Sequence, residues 1–126
     1  SGEKIEAEHL LPYKILPGER VLIKTQNSAR SWKGEYFFNE VFLAASAAEY
    51  LASLSVALVG IDALGLERNQ QRYASHAPLL KIGIIVVEGL RLAQAIEENY
   101  ELLLLPLAFC GIDAAPARAV LRTMAK

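Results

Sequence analysis

Three residues of this chain have side chains and positions suited to hydrolytic or metal chemistry. Asp62 closes the apolar run Val56-Ala-Leu-Val-Gly-Ile61, and Glu88 closes Ile84-Ile-Val-Val87. If those runs are parallel neighbours in a sheet, both carboxylates emerge at the same edge, where the carboxyl ends of strands gather ligands in open α/β sheets. His76 lies between them, near the start of a connecting helix that can return it to that edge. An imidazole with two carboxylates suits zinc or a harder divalent ion. The same residues have a plainer use, since a carboxylate after a strand is often a loop residue or a helix cap. A single histidine at a helix start commonly faces solvent.

Other chemistries have less behind them. Cys110 with His76 pairs a thiol with a base. The setting Leu105-Pro-Leu-Ala-Phe-Cys110 is apolar, however, and predicts an inert core cysteine. Arg30 and Trp32 fall in a polar loop and offer charge and stacking to a planar anionic ligand. The chain has no G-x-S-x-G elbow, phosphate loop or dinucleotide fingerprint.

The elements that must position these groups are short. Residues 5–11 have a weak helical pattern ended by Pro12, Pro17-Gly18 is a turn, and residues 20–25 read as a strand. Residues 27–33 read as polar loop. Ser46 and Glu49 have the spacing of a capping box opening a helix over 47–54. Residues 56–62, almost wholly apolar, read as a strand covered on both faces, and residues 83–89 as a second apolar, β-branched run. A helix over 72–81 separates them, with Gly83 at its end. Residues 90–96 suggest a helical turn, and residues 100–109 a third buried strand. The 117–124 tail reads equally as helix or strand. Alternating strands and helices predict an α/β fold with a parallel or mixed sheet.

Composition bounds the partners. At 126 residues with 53% hydrophobic and 21% charged residues, the chain is one domain's worth of folding sequence, not a disordered one. A net charge of -1 without a basic stripe argues against nucleic acid and against a membrane surface as partners. The single cysteine excludes an internal disulfide framework and a cysteine-rich zinc module. The longest apolar stretch, residues 102–110, is too short to cross a bilayer. A reducing, cytoplasmic setting is the expectation. Ser1-Gly2 in place of a methionine reads as a scar or a processed end.

Taken in order, several blocks resemble the cyclase family of metal-dependent hydrolases, which includes kynurenine formamidases and isatin hydrolase. The blocks are Val59-Gly-Ile-Asp62, His76 with Leu79-Leu80, Gly83-Ile84, Glu88-Gly-Leu90, Tyr100-Glu-Leu102, Leu105-Pro-Leu107 and Pro116-Ala-Arg-Ala-Val-Leu121. The resemblance implies a swivelling β/β/α fold, with the tail as a strand. It further implies a homo-oligomer and hydrolysis of an amide, formamide or lactam bond in a small molecule such as N-formylkynurenine. It assigns His76 and Glu88 as ligands of zinc or manganese and Asp62 as a supporting residue behind them; Trp32, from its place in the polar loop, is the candidate substrate contact.

The departures shape the functional expectation. The family's H-x-G-T-H-x-D-x-P-x-H block, with its other ligands and its catalytic histidine, has no counterpart here, where only His9 and His76 occur. Asp113-Ala-Ala-Pro116 replaces Asp-Gly-Ser-Pro, and Gly65 stands where serine is frequent. The chain thus reads as the C-terminal part of such a hydrolase, an incomplete version of the fold, binding metal weakly and inactive alone. The alternative is a free-standing degenerate domain of the same fold that works by binding or assembly. An incomplete fold should leave apolar surface exposed and associate.

Overall fold

A strand covered on both faces needs a run without a polar side chain, and β4 (Leu58–Ile61) is one, with all four residues buried. In the computed structural model, which describes residues 3–30, 39–68 and 71–124, β4 is the middle of a three-stranded parallel sheet. It pairs with β2 (Arg20–Ile23) in the register Val21↔Val59 and with β5 (Ile85–Val87) in the register Val59↔Val86. Parallel neighbours require crossovers. The connection from β2 to β4 carries β3 (Phe42–Leu43) and α2 (Ala45–Ser53); that from β4 to β5 carries α3 (His76–Leu80). A second parallel pair joins β1 (Lys4–Ile5) to β3. Leu43, Ala47, Leu51, Ile61, Leu66 and Leu79 are fully buried in the core between helices and sheet. Gly60 lets the neighbouring side chains close over the strand, because a Cβ there would lie 2.6 Å from a Leu22 methyl and 2.7 Å from a Leu90 methyl and both would have to shift.

The chain divides into two compact units, Ser1–Gln94 and Ala95–Lys126. The second is an antiparallel ribbon of β6 (Tyr100–Pro106) and β7 (Ala117–Thr123), in register from Tyr100↔Thr123 to Pro106↔Ala117. Parallel and antiparallel pairings together make this a mixed α/β structure, as the alternation of elements and the family resemblance both imply. The ambiguous tail is a strand. Among the described residues no helix is long and apolar enough to cross a membrane.

Several local expectations are corrected. Residues 5–11 are not one helix: β1 is followed by α1 (Ala7–Leu10) and a 3-10 turn over Leu11–Tyr13. Pro12 sits inside that turn, where its missing N–H costs nothing. The capping box at Ser46 and Glu49 does not form. The residue preceding α2, Ala44, has no capping side chain, while Ser46 Oγ donates to Glu6 Oε2 and accepts from Ala7 N at 3.2 Å. A contact across forty positions has taken the hydroxyl that local spacing offered to the helix. The helix expected over 72–81 is shortened at its start, where Arg72 and Tyr73 have positive φ (60° and 53°). Residues 90–96 form no helix. Strand β6 is not buried: Leu103 and Leu105 are 39% and 61% exposed, because a two-stranded ribbon has no second layer of its own. Asn27 and Ser28, expected in solvent, are buried in a 3-10 turn over Gln26–Ala29.

Candidate metal centre

Asp62 and Glu88 follow immediately on β4 and β5, so the parallel pairing brings both to one end of the sheet. The loop after β4 is tied down by backbone at both ends. Leu90 N donates to Ile61 O at 3.1 Å, Gly89 N to Ala63 O at 2.7 Å, and Leu43 N to Leu66 O at 2.8 Å. Its outward N–H groups meet carboxylates: Leu64 N donates to Glu40 Oε2 (3.1 Å) and Leu66 N to Glu88 Oε1 (2.5 Å).

His76 is the first residue of α3. The free amides at that end are taken by Glu67, whose Oε2 accepts from Ser75 N at 2.7 Å and His76 N at 3.1 Å. Ser75 Oγ in turn donates to Leu43 O at 2.6 Å, which fixes the helix start against β3. So held, the imidazole points its Nε2 at Glu88 Oε1, 3.1 Å away. On its other side Nδ1 is buried without a hydrogen-bond partner, 3.4 Å from Glu67 Oε2. The His76, Glu67 and Glu88 side chains are 24%, 10% and 34% exposed.

Asp62 is occupied elsewhere. Fully buried, it accepts from Thr25 N (2.7 Å), Thr25 Oγ1 (2.8 Å), Ser28 N (3.0 Å) and Ser28 Oγ (2.6 Å). Ser28 Oγ also accepts from Leu92 N at 3.2 Å. The aspartate therefore organises the turn over Gln26–Ala29 against the sheet, and it makes no hydrogen bond to His76 or Glu88. The residue that does stand behind His76 is Glu67. Nothing in the sequence singled it out, because what it binds are two main-chain amides.

The donor chemistry of the pair fits a divalent ion in part. Two donors bound tetrahedrally at about 2.0–2.2 Å to one ion stand roughly 3.4 Å apart, a few tenths of an ångström more than the 3.1 Å Nε2 to Oε1 separation. No group of three or more His, Cys, Asp or Glu side chains arranged for a metal occurs among the described residues. His76 and Glu88 thus form a two-donor half-site. Trp32 lies outside the described residues. Arg30 donates to Asn39 O at 3.3 Å. Cys110 is exposed, which overturns its expected place in a core. At Gly65 an added Cβ would meet only Glu67 O, at 3.4 Å, so the loop has space for the serine that the family often carries there.

Residues 2–68 match the family described as Putative cyclase. The chain is 36% identical over 127 residues to a kynurenine formamidase of Delftia acidovorans and 38% identical over 125 residues to that of Bordetella avium. Each match covers 98% of this chain and 58% of the relative. Among solved structures, one described as a potential metal-dependent hydrolase with cyclase activity is 40% identical and superimposes with a TM-score of 0.90. Another, described as a predicted metal-dependent hydrolase from Bacillus stearothermophilus, is 40% identical with a TM-score of 0.89. These matches cover 96% of this chain but 59% and 58% of the two neighbours. The chain spans a little under three-fifths of the length of the proteins it resembles.

Proposed function

The chain belongs to the Putative cyclase family, and from that membership we propose that it supplies His76 and Glu88 to the divalent-metal site of a kynurenine formamidase-like hydrolase. The substrate class is a small molecule with an amide, formamide or lactam bond, N-formylkynurenine being the type. Water adds across the C–N bond, its hydroxyl going to the acyl carbon and its proton to the departing nitrogen. The observation that carries this reading is the 3.1 Å approach of His76 Nε2 to Glu88 Oε1 at the carboxyl end of the parallel sheet.

A divalent ion, zinc or manganese, would supply a Lewis acid and a nucleophile at neutral pH. The chain's own residues do the placing. Leu66 N orients the Glu88 carboxylate, and the start of α3 presents the imidazole to it. A catalytic zinc normally has about three protein ligands and an open position. Two donors alone predict weak metal binding and no useful turnover by this chain. The exposed leucines of the ribbon support association with further copies, and the reading places the protein in the cytoplasm. Asp113-Ala-Ala-Pro116 and Gly65, each lacking a serine of the family pattern, favour a second reading as a degenerate domain that binds or assembles without catalysis.

Calorimetric titration of the chain with zinc and with manganese decides between them. The metal-site reading expects binding that His76→Ala and Glu88→Ala each weaken at least about tenfold. Unchanged affinity in both variants would leave the degenerate domain standing. Robust turnover of N-formylkynurenine by the purified chain would overturn the expectation that two donors are insufficient.

A further inference from the structure

Glu40 is a buried carboxylate, 7% exposed, that touches neither His76 nor Glu88. Its side chain makes one hydrogen bond among the described residues, accepting at Oε2 from Leu64 N at 3.1 Å. Burying a carboxylate is costly, and a single amide donor offsets only part of that cost. We propose that Glu40 is a positioning residue: by holding the Ala63–Leu64 peptide it sets how the loop after β4 presents Leu66 N to Glu88, and so aims that carboxylate at a shared cation. The inference deepens the metal-site reading and rests on it.

Three observations carry it. First, the Ala63–Leu64 peptide is gripped on both sides, because Ala63 O accepts from Gly89 N at 2.7 Å while Leu64 N donates to Glu40. Second, Leu66 N, two residues further on, is the one main-chain donor to the Glu88 side chain among the described residues, at 2.5 Å. Gly65 stands between the two amides and has no side chain to pack; even an added Cβ would meet only Glu67 O, at 3.4 Å. The direction of the Leu66 N–H therefore depends on the anchors to either side of it. Third, Glu40 is itself rigidly mounted. The next residue, Val41, is bonded through both its backbone groups to the buried Asn27 side chain, at 2.9 Å each. Asn27 lies in the turn that Asp62 organises through Thr25 and Ser28. An unbroken set of bonds thus runs from Asp62 through Asn27, Val41 and Glu40 to the loop, and by this route Asp62 supports the site without touching it.

The test reads the Leu66 amide in the metal-free chain by 1H–15N NMR. In wild type this proton, bonded to a carboxylate, should resonate downfield, and Glu88→Ala marks its position once the bond is gone. Glu40→Ala should move the signal most of the way to that mark. Glu40→Gln, which keeps an acceptor for Leu64 N, should leave it near wild type. Zinc affinity measured by chelator competition should fall about tenfold in Glu40→Ala and recover in Glu40→Gln. A Leu66 signal unmoved in Glu40→Ala overturns the proposal, even with a lowered thermal midpoint, since Glu40 would then only stabilise the fold. Equal losses in Glu40→Ala and Glu40→Gln also overturn it, because the charge and not the hydrogen bond would then matter. Should Glu40→Ala fail to fold, Glu40→Asp decides, as it keeps the charge but draws back from Leu64 N. A moved Leu66 signal with weakened zinc binding supports the proposal there, and wild-type values overturn it. If zinc binding is indifferent to His76→Ala and Glu88→Ala while Glu40→Ala still moves the Leu66 amide, the metal-site reading fails and the loop positioning stands.

Discussion

Asp62 and Glu88 leave neighbouring parallel strands at the same end of one sheet, yet their surroundings are opposite. Around Asp62 four donors converge on a fully buried carboxylate, two from Thr25 and two from Ser28. Around Glu88 one amide and one imbalanced imidazole meet a carboxylate that solvent still reaches. The first cluster is saturated and holds the backbone; the second keeps polar capacity in reserve, as the proposed metal site requires. Position at the strand ends is shared, so the number of partners, and not the position, separates the two.

The comparison can be broken from either side. Asp62→Ala strands Thr25 N and Ser28 N in the interior and should cost roughly 3–5 kcal/mol, read from denaturant unfolding; a loss under about 1 kcal/mol would erase the distinction. Glu88→Ala should cost no more than about 1 kcal/mol in the same assay, because water replaces its bond to Leu66 N. A loss greater than that of Asp62→Ala would invert the assignment. The smallest effect belongs to a third carboxylate, Glu6 at the surface. Its hydrogen bond to Lys4 first, and that from Ser46 second, hold its pKa below the ordinary carboxylate value. A depressed folded-state pKa contributes stability that is complete above the ordinary value and lost as pH falls through the lower one. Glu6→Gln should therefore flatten the acid side of a plot of thermal midpoint against pH and leave the neutral region nearly unchanged.

Much of the sheet was legible because β4 and β5 are unbroken apolar runs, but only β4 lies in its middle. Strand β5 is an edge strand, with Ile85 55% exposed, because no further strand pairs beyond it among the described residues. His76 and Glu88 were legible by the same geometry, since strand ends and the helix between them set where both side chains emerge. What the sequence concealed were partnerships formed across the chain. Ser46 looked like a helix cap and instead bonds Glu6, forty positions earlier. Asn27 and Ser28 looked solvated, yet Asn27 pairs with the Val41 backbone and Ser28 with Asp62. Glu67 could not be found from spacing, because backbone amides leave no mark in a sequence. Strand β6, with four successive leucines, was readable as a strand and misread as interior, since burial depends on a covering layer that a hairpin lacks.

The exposed thiol of Cys110 has a practical consequence for any measurement of association. As the one cysteine of the chain, it can join two polypeptides by air oxidation and produce a covalent dimer that owes nothing to complementary surfaces. Sedimentation runs with and without reductant would tell such an artefact from genuine self-assembly. Alkylated at that sulfur, the chain would also carry one reporter group, confined to the ribbon.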